Sequence, residues 1–234
     1  YALSLGFDEA VLGNLITTSS FVALLAALPM GYLADMIGRK GSLVISGVLL
    51  AFSILAMALW QTETSLYAMN VVSGLAQSLA GVTMSPFLME NSDEKERTYL
   101  FSFGQGLQMT MASVGSWLGG YLPTWMGSLQ SVSATSSTAY GSSVLISGIG
   151  AALAILPLIF IKSPNIAKSQ RAVFAPFQYA AKNPGLLTKL VLPMLITSIG
   201  AGLIMPFMNV FFRVVHNQPD PVIGTLFAWG SLAM

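Results

Sequence analysis

The stretch GYLADMIGRKGSL, Gly31 to Leu43, sets an Asp, an Arg and a Lys within six residues, between glycines, in a chain that is 54% hydrophobic and only 8% charged. Charges are few in this chain, so their grouping here marks a point where the chain leaves apolar surroundings and turns. Gly31 and Gly38 free the backbone for a tight turn and a close approach of helix ends. Asp35 can pair with Arg39 or accept from a nearby helix N-terminus. Arg39 and Lys40 suit the anionic inner face of a membrane.

The composition around this stretch agrees. A mean hydropathy of +0.73 over 234 residues points to a polytopic membrane protein rather than a soluble domain. A net charge of +1 offers no clustered basic surface for nucleic acid. The absence of cysteine excludes disulfides and thiolate chemistry, and a single histidine, His216, argues against a zinc site. No metal ligand set and no cofactor motif stands out. The chain contains no Asn-x-Ser/Thr sequon, and no basic segment followed by an apolar run suggests a signal peptide.

A hydrocarbon layer about 30 Å thick requires about 20 apolar residues of helix, because irregular backbone cannot face lipid with its polar groups unsatisfied. Six such runs are expected, at about 10–33, 41–60, 66–90, 98–122, 142–161 and 187–212, with a seventh opening near Pro221. The fold class is therefore all-α. Lys and Arg gather in alternate connections, and of the ten only Arg213 falls on the other side. The positive-inside rule makes the turn at Gly38 cytoplasmic, with the Ser/Thr-rich run 127–143 and the segment 213–221 outside. A helix entering from outside at residue 10 implies an earlier span, and the last run is too short to cross, so an internal fragment of a longer protein is expected.

A shift of 211 residues lays EAVLGNL, Glu9 to Leu15, over DPVIGTL, Asp220 to Leu226. The acidic, Val, Leu/Ile, Gly and Leu positions agree, and each copy opens an outside-to-inside helix, six helices apart. Parallel repeats of this kind build many transporters.

The opening stretch resembles the signature loop of the major facilitator superfamily, Gly-x-Leu-Ala-Asp-basic-x-Gly-Arg-Lys-x-x-Leu. Gly31, Leu33, Ala34, Asp35, Gly38, Arg39, Lys40 and Leu43 match, while Met36 stands where a basic residue is usual. The resemblance implies a twelve-helix bundle, of which the second to the eighth helix are visible. It assigns 1–162 to the first half, 163–186 to a cytoplasmic linker and 187–234 to the start of the second half. It also implies that the Gly38 turn acts as a conformational latch, and Glu90 and Arg97, on the same cytoplasmic rim, can brace it.

Two antiporter signatures of the family fit only in part. In the fourth family helix, LYAMNVVSGLAQ keeps Gly74 but has Asn70 where the drug antiporters carry Arg. In the fifth, ASVGSWLGGYLP keeps Gly119 and Gly120 but has Ser116 in place of Pro, leaving Gly115 and Gly119 as a small-residue packing face. The expected cavity lining comes from family helices four and seven. Asn70, Gly74, Gln77 and Gly81 recur at steps of four, three and four, so they share one helix face. Gln105 and Gln108 border it from the next helix. Met194, Ser198, Ala201, Met205 and Met208 share a face of the seventh, with Asn209 beside it. Interhelical hydrogen bonding is the structural alternative for the amides, and packing for the methionines. Pro193 and Pro206 are placed to kink that helix, and Phe174, Phe177 and Ala181 give the linker an interfacial side.

The function expected is secondary active transport of a small solute by alternating access, with efflux of a neutral or hydrophobic compound favoured by the lack of buried charge. Its partners are then the solute, the lipid bilayer and a coupling proton or other ion, in a plasma membrane of bacterial inner-membrane type. A seven-helix sensor is the alternative. An enzyme is not expected, since no carboxylate pair or activated nucleophile lies within the spans.

Overall fold

The computed structural model describes residues 1–161 and 182–233. Most of the expected linker, including Phe174, Phe177 and Ala181, lies outside them. Among the described residues every regular element is helical. They are α1 (Glu9–Ile37), α2 (Arg39–Leu59), α3 (Glu63–Glu90), α4 (Arg97–Leu129), α5 (Ser137–Leu153), α6 (Ile155–Phe160), α7 (Pro184–Ile204), α8 (Met208–Val214) and α9 (Asp220–Leu232).

Local chemistry sets the starts. The Asp8 carboxylate accepts from the Val11 N–H at 2.8 Å, Thr62 Oγ1 from Ser65 at 3.3 Å, and Ser136 Oγ from Ala139 at 3.2 Å. Each side chain satisfies an amide that has no partner within its own helix. These three caps, at α1, α3 and α5, all stand at ends that the charge pattern places outside.

Among the described residues five helical stretches are long and apolar enough to cross a membrane: Glu9–Ile37, Arg39–Leu59, Glu63–Glu90, Ser137–Phe160 and Pro184–Val214. The run expected at 98–122, α4, has ample length at 33 residues but is diluted by Gly, Ser, Thr and Gln. It also outruns its expected end at 122. Pro123 lies inside it, and the helix stops only at Leu129, where Ser131 takes a positive φ of 56°. Pro206 sits where α7 gives way to a 3-10 turn, Met205–Phe207, whereas α7 runs straight through Pro193 without a change of type.

Contacts divide the chain into two units, Tyr1–Asn165 with Asp220–Met234, and Ile166–Pro219. In the first unit α3 packs against both α1 and α2, α2 continues onto α5, and α9 packs on α4. Small residues carry these seams. A β-carbon at Gly148 of α5 would stand 2.7 Å from Leu55 Cδ2 of α2, and one at Gly47 of α2 would stand 2.9 Å from Ile155 Cγ1. Lipid gives helices no hydrophobic reason to associate, so close backbone approach and hydrogen bonding do the work. Buried serines turn their hydroxyls inward onto their own helices, as Ser42 does to the Gly38 carbonyl at 3.0 Å and Ser143 to that of Ala139 at 2.8 Å. Near the outer end, Ala2, Leu15 and Leu66 form a small apolar core with Tyr1, Leu12 and Tyr67 around it. Tyr1 donates to the Met57 carbonyl at 3.2 Å, and burial pushes its phenol above the usual range.

The second unit holds α7 and α8. Within it no described residue is buried, and Met194 and Leu203 are both 72% exposed. An apolar helix with no covered face has lipid or other helices as its solvent.

Candidate functional site

α1 and α2 are joined by one residue. Gly38 takes φ 98° and ψ 151°, a backbone region open to glycine and strained for any L side chain. Its N–H closes α1 on the Ala34 carbonyl, and its own carbonyl accepts from Ser42 N at 3.0 Å to open α2. Gly31 serves no such purpose: it is helical, and open space surrounds the place of its missing β-carbon.

The turn brings the charges together. Arg39 Nη2 lies 2.6 Å from Asp35 Oδ1, one helical turn earlier, and Arg39 Nε donates to Glu90 Oε1 at 3.3 Å, at the far end of α3. The Arg39 and Glu90 side chains are both mostly shielded from solvent. One planar guanidinium thus ties α1, the turn and α3, a task for which an ammonium lacks the fork.

Lys40 goes elsewhere. Its Nζ donates to the Ile159 carbonyl at 2.7 Å, in the last turn of α6. A cation there satisfies a carbonyl that the helix end leaves open. In this arrangement Lys40 is committed to the root of the following segment and not simply to lipid headgroups. Arg97, at the start of α4, reaches the Met89 carbonyl at 3.5 Å, beside Glu90 but not onto the turn, and its buried Nε has no hydrogen-bond partner among the described residues.

The amide stripe of α3 meets α1. A β-carbon at Gly74 would stand 2.5 Å from the Ser19 carbonyl oxygen and 3.0 Å from Val22 Cβ. Gln77 Nε2 donates to Ser73 Oγ at 3.1 Å and to Ser19 Oγ at 3.3 Å, across the same seam. Asn70 turns back to its own helix and donates to the Leu66 carbonyl at 2.9 Å. Gly81 faces open space, and Gln77 is itself exposed, so the seam is closed at Gly74 and open on the side that Gln77 borders. Gln105 and Gln108 are exposed on α4. Ser198 and Asn209 are exposed in the second unit, on α7 and α8. The structure therefore joins Asp35, Arg39 and Glu90, and joins Asn70's neighbours to α1 through Gly74 and Gln77.

The packing face of α4 differs from the one expected. Gly115 and Gly119 look onto open space, whereas Gly120 is buried against α9. A β-carbon at Gly120 would stand 2.8 Å from Gly224 Cα, and one at Gly224 would stand 2.6 Å from the Ser116 carbonyl. A step of one residue turns a helix face by about 100°, and α9 offers Asp220, Gly224 and Ala228 in four-residue steps to the face carrying Ser113, Ser116 and Gly120. Ser113 Oγ donates to the Ala228 carbonyl at 2.8 Å, and the Tyr140 hydroxyl of α5 donates to the Asp220 carboxylate. Sequence reasoning missed Ser113, Tyr140 and Asp220 as a group. The four-residue spacing of Gly224 and Ala228 was the available signal.

Among the described residues no cluster of His, Cys, Asp or Glu could hold a metal ion. All nine carboxylates stand at helix ends or in loops.

Two curated bacterial proteins resemble the chain. An MFS-type transporter of Bacillus subtilis (strain 168), YqjV, is 31% identical over 130 residues, covering 54% of this chain and 30% of its own length. A gallate transporter of Pseudomonas putida is 27% identical over 172 residues, covering 73% of this chain and 35% of its own. The chain spans about a third of the length of these relatives. Both bear the names of transporters, not of enzymes. The Major Facilitator Superfamily matches the chain across residues 1–234, and the chain is a multi-pass membrane protein that belongs to that family.

Proposed function

We propose that the protein is a secondary active transporter that moves a small organic solute across a bacterial inner membrane by alternating access, the described helices supplying the first half and the opening of the second. The observation that carries this reading is the family match over the full 234 residues. The charge-knotted turn at Gly38 supports it, because a bilayer protein with so few charges has used three of them to fix one cytoplasmic corner. Family membership removes the support for a seven-helix sensor.

The solute we favour is neutral or hydrophobic, and the direction export. Every described Lys and Arg stands at a helix end or in a loop, so no described span offers an anion a buried partner. The name of the Pseudomonas putida relative favours a second reading, uptake of a small hydroxylated aromatic acid. A coupling proton would need a titratable group within the membrane, and the nine carboxylates here lie at helix ends, which directs the search to spans beyond these residues.

The test is transport by the full-length protein in proteoliposomes under an imposed pH gradient, with labelled gallate and a lipophilic dye as separate probes. Gradient-driven dye movement with gallate excluded supports neutral export. Gallate accumulation against its own gradient would replace that reading with the second one. Movement of both probes without response to any ion gradient would overturn secondary active coupling.

A further inference from the structure

Asp220 stands at a corner where three helices meet. Its backbone carbonyl oxygen would lie 2.7 Å from a β-carbon at Gly120 of α4, while its carboxylate accepts from the Tyr140 hydroxyl of α5. Tyr140 is almost wholly buried, and Gly141 beside it faces the Tyr1 ring and Gln61, so the phenol is well fixed. Below this corner the α4–α9 seam brings Gly120 onto Gly224 and carries a hydrogen bond from Ser113 to the Ala228 carbonyl.

Such a seam has an uneven distribution of strength. Glycine-to-glycine contact buries little side-chain surface, and in lipid no hydrophobic term resists separation. The charge-assisted hydrogen bond from Tyr140 of α5 to the Asp220 carboxylate is stronger than the one from Ser113, and the charge pattern places it at the outer end. We propose that Tyr140 and Asp220 form an outer clasp, closed in this structure, whose release lets α9 part from α4 and α5 on the outer side during each transport cycle. The proposal rests on the alternating-access reading, with α9 opening the second half. Tyr140 acts here as a positioning residue, through the helix it holds.

The experiment uses the full-length protein in membrane vesicles. Any cysteine that the full-length protein carries outside these 234 residues, which contain none, is replaced by serine, and a reporter is added by Ser113→Cys, a near-isosteric change at a buried position of the seam. A membrane-impermeant thiol reagent is applied from outside, and its labelling rate is compared in otherwise unaltered protein, in Tyr140→Phe and in Asp220→Asn. Tyr140→Phe removes one oxygen and keeps the ring. It is expected to raise labelling by about tenfold, the scale of a lost hydrogen bond to a charged group, with a smaller rise for Asp220→Asn, whose amide oxygen still accepts. Tyr121→Phe, on α4 in the ring series Trp117–Tyr121–Trp125, serves as the control and leaves the rate unchanged. Unchanged labelling in both clasp variants overturns the proposal.

A second reporter, Gly81→Cys, placed in open space on α3, separates this from the reading beneath it. It is labelled from the cytoplasmic side. If the clasp variants raise outer labelling while inner labelling stays constant, the clasp stands and alternating access fails. If Asp35→Asn shifts the two reporters in opposite directions while the clasp variants do nothing, alternating access stands and the clasp fails.

Discussion

Gly120 of α4 and Gly224 of α9 approach so closely that a β-carbon on either would stand 2.8 Å from the other's Cα. The neighbours in the way are backbone atoms, which cannot swing aside as a side chain could. Gly224→Val is therefore expected to part the two helices, at a cost of about 1–3 kcal/mol or more for an overpacked contact. Thermal unfolding of the detergent-solubilised full-length protein, followed by tryptophan fluorescence, checks this. Gly119→Ala, one residue away on α4 and facing open space, is the matched control and leaves the midpoint within error.

The turn at Gly38 gives a sharper contrast. Its φ of 98° with ψ near 151° suits glycine alone, so Gly38→Ala is expected to lose about 1–3 kcal/mol. Gly31→Ala, in a helix and surrounded by open space, is expected to gain up to about 1 kcal/mol from helix propensity. Melting midpoints that move in opposite directions are the result expected. Equal losses at both would show that Gly31 has a partner among helices not described here.

Arg39 bridges Asp35 and Glu90, and Arg39→Lys keeps the charge while giving up the fork. A single ammonium cannot reproduce both contacts, so the variant is expected to express normally and transport at about a tenth of the rate, a barrier change of ~1.4 kcal/mol. Asp35→Asn should likewise slow state switching with expression intact. Initial transport rates normalised to membrane protein measure both. An unchanged rate in Arg39→Lys would show that net charge at the turn is enough.

Gln77 separates cavity from seam. It reaches Ser19 across α1 and α3 but is itself exposed. Gln77→Ala is expected to raise the apparent KM for the transported solute several-fold, about 1 kcal/mol for one lost hydrogen bond, and to leave the melting midpoint nearly unchanged. A lowered midpoint with unaltered KM would assign Gln77 to packing.

The parts of the fold that the sequence made legible are those written in local chemistry. Gly38 between a carboxylate and two cations could only be a turn, and apolar runs of about 20 residues could only be spans. The relation of Asp35 to Arg39 is one helical turn and follows from spacing. Contacts made through backbone atoms left no such mark. Lys40 binds the carbonyl of Ile159, 119 residues away, and any residue at 159 would present the same oxygen. The α4–α9 seam was missed for a related reason: Gly115, Gly119 and Gly120 all fit a small-residue pattern, and only the partner helix decides which of them is covered. α4 runs to Leu129, past the apolar run expected at 98–122, because Pro123 is tolerated within a membrane helix. Gln77's choice between Ser19 and a solute likewise depends on a neighbouring helix, which periodicity places on a face without identifying.

Alternating access requires the two ends of this protein to open in turn. The most direct measurement is of spin-label distances in the full-length protein reconstituted in lipid. One pair, Glu63→Cys with Asn217→Cys, reports the outer rim, and another, Lys95→Cys with Lys182→Cys, reports the inner rim. Asp35→Asn, or a transported solute, is expected to shift the two distance distributions in opposite directions, one lengthening as the other shortens. Distances at both rims that stay fixed, or lengthen together, would contradict it.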